Sequence, residues 1–255
     1  MRRAWIVMVP IGLLMLIGAS CNAAKDVKGE FGIGGNVGYA LMDIKGVNDF
    51  INLNEDIFTN LFGYTTESKD YHTGGISYRG EISYGVTSSV VLTGTLGSLV
   101  STGWYAATGP TDIRFDDSVS ATFFGAGLSV VGVLPTGGQT VNLSFGGGAD
   151  YYRVNYRMLH TETGNPDQER IAEGSKIGYH LGGGLAWYLT DNISLGIDVI
   201  YRIMRLPQLT TVKDDWGLSG VGEPFQVYSG LFTTKNLEID LSGLGVYLGI
   251  CFHLG

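Results

Sequence analysis

The stretch "YLTDNISLGIDVIYRI", residues 188–203, decides the fold. After the turn-forming Thr190, Asp191 and Asn192, one parity reads Ile193, Leu195, Ile197, Val199, Tyr201 and Ile203. The other reads Ser194, Gly196, Asp198, Ile200 and Arg202. A period of two marks a strand with two different faces. The polar face is unusual, because it carries small residues and opposite charges where a water-washed strand carries runs of Lys and Glu.

The alternation recurs, and eight strands are predicted: 30–44, 75–86, 89–105, 118–134, 140–159, 175–189, 193–206 and a last one from 237 onward. In the second, Ile76, Tyr78, Ile82 and Tyr84 oppose Ser77, Arg79, Glu81 and Ser83. In the fifth, Val141, Leu143, Phe145 and Tyr151 oppose Asn142, Ser144, Gly146, Gly148 and Asp150. In the sixth, Ile177, Tyr179, Leu181, Leu185, Trp187 and Leu189 oppose Gly178, His180, Gly182, Gly184 and Tyr188. The fourth has Phe123 and Phe124 side by side, fits either phase, and is expected to carry a bulge.

Composition decides which face meets water. The 255 residues include 40 Gly, about twice the usual share, and only 16% charged residues, below the ~25% of soluble domains. Mean hydropathy is positive. Beyond residue 21, however, no apolar run approaches the ~20 residues of a membrane helix. A soluble barrel with the apolar face inside needs a well-solvated exterior, and glycine-rich polar faces make a poor one. Inverted, the pattern is consistent: aliphatic and aromatic residues face lipid, while Gly, Ser and paired charges fill a narrow interior. In hydrocarbon every backbone N–H and C=O must be satisfied internally, so a β chain spans only as a closed barrel. Trp104, Tyr105, Trp187 and Tyr188 fall near strand ends, where aromatic girdles sit.

The connections supply the orientation. Those after strands two, four and six are short ("TSS", "PTGGQ", "TDN"), and those after strands one, three, five and seven are longer. Two of the longer ones cover 45–74 and 207–236. Short turns at one end and long loops at the other are the asymmetry of bacterial outer-membrane barrels, with turns in the periplasm and loops outside.

Residues 1–23 read as a secretory signal: Arg2 and Arg3, an apolar core from Trp5 to Ile17, then a small-residue segment. Two cleavage chemistries compete. "GASC", residues 18–21, resembles a lipobox that would make Cys21 the lipidated first residue, with Gly18 where that motif prefers Leu. Ordinary cleavage after Ala23 or Ala24 is the simpler reading and leaves 24–255 as the barrel domain with Cys251 as its lone cysteine. The charge of −8, about −10 without Arg2 and Arg3, argues against nucleic acid as a partner.

These features together resemble the small outer-membrane β-barrel superfamily, the eight-stranded OmpA, OmpX and OmpW type of Gram-negative envelopes. The residues that carry the resemblance are "GEFGIGGNVGYA" (29–40), "AWYLTDNISLGIDVIYRI" (186–203) and the last strand. It implies an all-β, up-and-down antiparallel transmembrane barrel set in outer-membrane lipid and lipopolysaccharide. "SGLGVYL" (242–248) is similar to the signal such barrels present to the barrel-assembly machinery, although the chain runs past Phe252 into His253, Leu254 and Gly255.

The predicted lumen collects Arg79, Glu81, Asp150, His180, Asp198 and Arg202. Charges in a tight interior must pair, so a salt-bridge core is expected; a gated polar path or small-ligand site is the sharper alternative. In the first long loop, "VNDFINLNEDIFTNLFGY" (47–64) spaces Val47, Phe50, Ile51, Ile57, Phe58, Leu61 and Phe62 near a helical stripe. It predicts a short helix across the barrel mouth, or a partner-binding helix at the surface. Trp216, Phe225 and Tyr228 in the last long loop are expected at the surface, where an extracellular ligand or partner would meet both loops.

Lipid A-modifying barrels need a His in reach of a hydroxyl near the outer rim. His72 and His160 are the candidates by position, and neither shows the His-x-Ser spacing of the deacylase. The glycine runs lack the dinucleotide fingerprint, and neither a metal nor a cofactor is expected. The expectation is a non-enzymatic barrel with an envelope structural or surface-interaction role. An OmpW-like barrel passing small, apolar molecules is the alternative, and a lipid A enzyme the third reading.

Overall fold

The computed structural model describes residues 27–42, 44–136, 139–230 and 233–254, so the expected signal segment and Cys21 lie outside the described residues. Strand β1 (Phe31–Met42) leads to helix α1 (Lys45–Phe62) and a short β2 (Thr65–Asp70). A meander follows through β3 (Gly74–Gly85), β4 (Val90–Thr108), β5 (Asp112–Thr136), β6 (Gln139–Glu162), β7 (Gln168–Thr190) and β8 (Ile193–Ile203). The last long connection contains β9 (Arg205–Leu206), β10 (Thr210–Asp214), β11 (Gln226–Gly230), β12 (Thr233–Asn236) and β13 (Ile239–Asp240), before β14 (Gly243–Leu254).

Among the described residues eight strands close a ring. Each of β1 and β3 to β8 pairs antiparallel with the next, and β14 joins β8 on one side and β1 on the other. No edge is left inside the membrane, where an unpaired peptide group would be costly. The outward parity of these strands forms an apolar belt, with Ile33, Val37, Ile82, Leu96, Leu128, Tyr179, Val199 and Leu248 all exposed on it.

Two expectations are corrected. The bulge expected in the fourth strand is absent: β5 runs past Phe123 and Phe124 in unbroken register with both β4 and β6. Phe123 points inward at 3% exposure and Phe124 outward at 59%. Both faces accept an aromatic ring here. Gly97 leaves room for Phe123, since a Cβ on it would stand 2.3 Å from the Phe123 ring. Phe124 meets Tyr151 in the lipid belt, centroids 5.3 Å apart.

The second correction concerns the loops after strands three and five. They are short, 109–111 and 163–167, because the strands continue: β5, β6 and β7 have 25, 24 and 23 residues. A tilted crossing needs only ~9–11, so these strands rise roughly a dozen residues above the bilayer. The outer face of that extension is polar and resembles loop in the sequence. Arg153 pairs with Glu173 at 2.7 Å and Arg157 with Glu169 at 2.6 Å, from strand to neighbouring strand.

The interior changes character with height. Near the periplasm it is polar. Above, a core of Met42, Val47, Phe50, Leu99, Phe115, Val119, Tyr156, Met158, Leu206, Phe225 and Ile239 fills it. Helix α1 contributes one face to this core, burying Val47, Phe50, Ile51 and Asn54 at helical spacing. It stops at Gly63, whose φ of 69° is the left-handed cap that glycine adopts without strain. The expected helix across the mouth is therefore present, and it is folded into the barrel top.

Candidate functional site

The lower lumen is built by inward parity alone. Arg79 and Glu81 share a face of β3 and pair at 3.0 Å. Asp150 on β6 is the hub of a second group: its Oδ2 meets His180 Nδ1 at 2.7 Å and accepts from the Tyr152 hydroxyl at 3.1 Å, and its Oδ1 accepts from Thr95 at 3.1 Å. Arg202 on β8 donates to the Tyr247 hydroxyl at 2.8 Å, which in turn donates to Ser77 at 3.3 Å. Arg202 also lies over the Phe123 ring, 5.5 Å from its centroid. Arg79, Glu81, Asp198 and His180 thus line one cavity, while Asp150 and Arg202 lie buried above it. Thr95, Tyr152 and Tyr247 are not among the expected lumen residues, although each has the inward parity that selects the others; Ser77 falls on the polar face the alternation assigns to it.

Glycine makes this interior possible. A Cβ on Gly125 would stand 2.1 Å from Asp150 Oδ1, and one on Gly184 would stand 2.0 Å from Asp198 Oδ1. Below the network the lumen opens into a vestibule of two adjoining cavities, ≈ 160 Å³ and ≈ 90 Å³, which share Glu81, Thr93, Ser129, Ser144 and Asp198 as walls.

Above the network the lumen is closed. The polar interior expected along the whole barrel is confined to the lower half, because the tall strands enclose a volume that α1 and the last connection fill with apolar side chains. This also corrects the surface assignments. Phe50 is 1% exposed and Phe225 0%. Ile57, Phe58, Trp216 and Tyr228 are half-buried, with Phe58 and Trp216 packed on the same core. Trp216 lies 6.4 Å from Phe50 and 6.0 Å from Phe115, centroid to centroid. A loop composition hid these contacts, since the partners are distant in the chain.

Asp117 and His72 are among the ionisable groups locked in this upper core. Asp117 accepts a hydrogen bond from Tyr156, yet burial pushes its carboxyl up to about 7. Burial lowers His72 to about 4. His72 Nδ1 lies 3.0 Å from Ser101 Oγ, a serine–histidine contact of the sort the enzyme reading requires. The Ser101 hydroxyl, however, donates to the Gly74 carbonyl at 2.8 Å. A hydroxyl proton committed to a carbonyl is not available to a base. His160 stacks on Phe115 at 4.4 Å and contacts Gln168, and among the described residues it hydrogen-bonds neither a hydroxyl nor a carboxylate.

The family model described as outer membrane protein beta-barrel domain matches residues 11–221, well over half of the chain. The chain belongs to this outer-membrane β-barrel family. It is similar in fold to the N-terminal β-barrel domain of Pseudomonas aeruginosa OprF at 12% identity, covering 89% of this chain and 98% of that one, TM-score 0.36. OprG of the same organism matches at 11% identity over 89% and 96%, TM-score 0.48. Ail, the attachment invasion locus protein of Yersinia pestis, crystallised with the heparin analogue sucrose octasulfate, matches at 11% identity over 89% and 99%, TM-score 0.39. No curated protein matches. The family places this barrel in the outer membrane of a Gram-negative bacterium. Its short turns at one end and tall strands at the other are the asymmetry of barrels whose turns face the periplasm.

Proposed function

We propose that this outer-membrane barrel is a sealed, non-conducting scaffold whose β-structured extracellular head serves surface interaction. The observation that carries the reading is the closure of the lumen. Above the Arg202–Tyr247–Ser77 contacts, Phe50, Ile51, Phe115, Tyr156, Phe225 and Leu237 are each 1% exposed or less. An eight-stranded barrel is only just wide enough for side chains, and these fill it.

The head offers contact surface. Leu61 and Phe62, at the end of α1, are more than half exposed. Its charges are largely paired, so a partner gains more from apolar contact there than from a net field. The apolar belt takes outer-membrane lipid and lipopolysaccharide, and β14 serves the barrel-assembly machinery. No step of this role needs catalysis at the outer rim.

Single-channel recording of the refolded chain in planar bilayers, with Arg79→Ala as control, tests the seal. Silence from a barrel whose heat-modifiable gel migration proves it folded is the expected result. Discrete openings that change with Arg79→Ala would replace this reading with passage of small molecules. The surface role is tested by cell–cell and cell–surface adhesion, which the double change Leu61→Ser and Phe62→Ser is expected to reduce.

A further inference from the structure

The periplasmic mouth of the lumen holds a serine, a histidine and a glutamate in series. Ser194 Oγ lies 2.8 Å from His253 Nε2. His253 Nδ1 lies 2.6 Å from Glu30 Oε1. Barrel closure assembles them. Ser194 is opposite Cys251 in the β8–β14 ladder, and His253 is opposite Gly32 in the β14–β1 ladder. Residues two apart on a strand share a face. His253 therefore stands on the Ser194 side of the lumen, and Glu30, two before Gly32, comes to it across the other seam. Gly32 keeps the space open, since a Cβ there would stand 2.4 Å from Ser83 Oγ and 3.2 Å from Cys251 Sγ.

The order of contacts sets the chemistry. A carboxylate beside Nδ1 holds the imidazole proton on that nitrogen and leaves the Nε2 lone pair for the serine hydroxyl. Tyr188 packs against the ring, centroids 4.7 Å apart, and fixes its plane. Unlike Ser101, Ser194 donates to no carbonyl among the described residues. Ser194 is 1% exposed and the His253 and Glu30 side chains are 12% and 10% exposed, and all three residues line the cavity of ≈ 160 Å³, which gives the buried serine its access. Low exposure keeps their interactions strong. Tyr188 and Asn142, 3.3 Å apart through the hydroxyl and the amide, line the same cavity and supply polar groups for developing negative charge.

We propose that Ser194, His253 and Glu30 form a nucleophilic triad that hydrolyses short-chain carboxylic esters entering the lumen from the periplasm. Ser194 Oγ attacks the ester carbonyl carbon as His253 Nε2 takes the hydroxyl proton. The proton passes to the leaving oxygen, the carbon–oxygen bond breaks, and the alcohol departs. Water then attacks the acyl-serine and gives a proton to His253. The acid leaves, and Ser194 recovers its proton. The vestibule limits the acyl group, because it ends at Arg79 and His180. This activity lies on the opposite side of the seal from the head, and it stands or falls independently of the surface role.

The test uses the refolded chain in detergent micelles, a fluorophosphonate probe and p-nitrophenyl butyrate. The expected result is probe attached to Ser194 by peptide mass mapping, and hydrolysis that falls on the order of 100-fold or more in Ser194→Ala and in His253→Ala. Glu30→Gln is expected to lose comparable activity, with an altered pH profile. Heat-modifiable migration of every variant separates lost chemistry from lost folding. A folded wild-type barrel with unlabelled Ser194 and hydrolysis equal to that of Ser194→Ala overturns the proposal. So does activity that survives Ser194→Ala and disappears in Cys251→Ala, which would make the neighbouring thiol the nucleophile.

Discussion

Arg170 and Asp214 meet through two hydrogen bonds of 2.9 Å, with side chains 0% and 1% exposed. The pair ties β10 of the last connection to β7 of the barrel. Arg170 also donates to the Gln226 carbonyl at 2.6 Å and lies over Phe225 and Trp216, 4.4 Å and 5.1 Å from their centroids. Asp214 in turn accepts from the backbone N–H groups of Trp216 and Ser219, at 3.0 Å and 2.9 Å. One ion pair thereby organises most of the loop that closes the barrel top.

Removing one partner of a buried pair strands the other charge and costs ~3–5 kcal/mol. Asp214→Ala is therefore expected to release residues 207–236 while the transmembrane ring stays folded. Limited proteolysis of intact cells should cut that segment in the variant and spare it in the wild type. Arg170→Lys should behave in the same direction, because an ammonium cannot reproduce the fork or the stacking. Equal protease resistance in Asp214→Ala and wild type would remove the pair from this role.

The head should show two opposing pH dependences. Asp117 is raised to about 7 by burial, so its contribution to stability is fully present below the ordinary carboxyl value and is lost as pH rises through about 7. His72 is lowered to about 4 by burial, so its contribution is present above about 6.5 and is lost as pH falls through about 4. Between these limits the two trends offset each other. Asp117→Asn should unmask the histidine, giving a melting temperature that falls as pH drops from about 6.5 to about 4 and that lacks the decline of the wild type between about 6.5 and 7. Circular dichroism melts across this range read the result, and an unchanged profile in Asp117→Asn would refute the assignment.

The depth of the lipid face can be read along β8. Val199 is opposite Gly183, near the middle of the belt, whereas Leu195 is opposite Trp187 at its periplasmic side. Val199→Arg should cost ~2–4 kcal/mol and Leu195→Arg ~0–1 kcal/mol, the difference between midplane and interface. Reversible denaturant unfolding in lipid vesicles measures both. Equal costs would mean that the belt is centred elsewhere.

Phe123 and Phe124 test the register of β5. Phe123→Ala opens a cavity in a packed interior and should cost ~3–5 kcal/mol. Phe124→Ala faces lipid, which refills the space, and should cost clearly less. The same unfolding measurement distinguishes them, and the reverse order would mean that the strand is bulged after all.

The alternation in residues 188–203 gave a two-faced strand, and its recurrence along the chain, with the glycine-rich polar faces, gave the barrel. Parity is a local property of an extended chain, and a closed ring is the arrangement that leaves no peptide group unpaired in lipid. Arg79, Glu81, Asp150, His180, Asp198 and Arg202 were legible for the same reason. What stayed hidden depended on partners far away in the chain. The polar outer face of β5, β6 and β7 above the bilayer reads as loop until Arg153 finds Glu173 and Arg157 finds Glu169 on the next strand. Phe225 reads as exposed until Arg170, Tyr156 and α1 enclose it. Ser194, His253 and Glu30 share no motif in the sequence, and they meet only because β14 pairs with both β8 and β1. Sequence by itself determined which residues share a face on most strands, because that needs only the next residue along, and composition told which of those faces meets lipid. The phase at Phe123 and Phe124 waited for the register of β5 with its neighbours. Tertiary structure decided how tall the barrel stands, what seals it and which groups meet at its mouth, because each of these is fixed by ring closure and long-range packing.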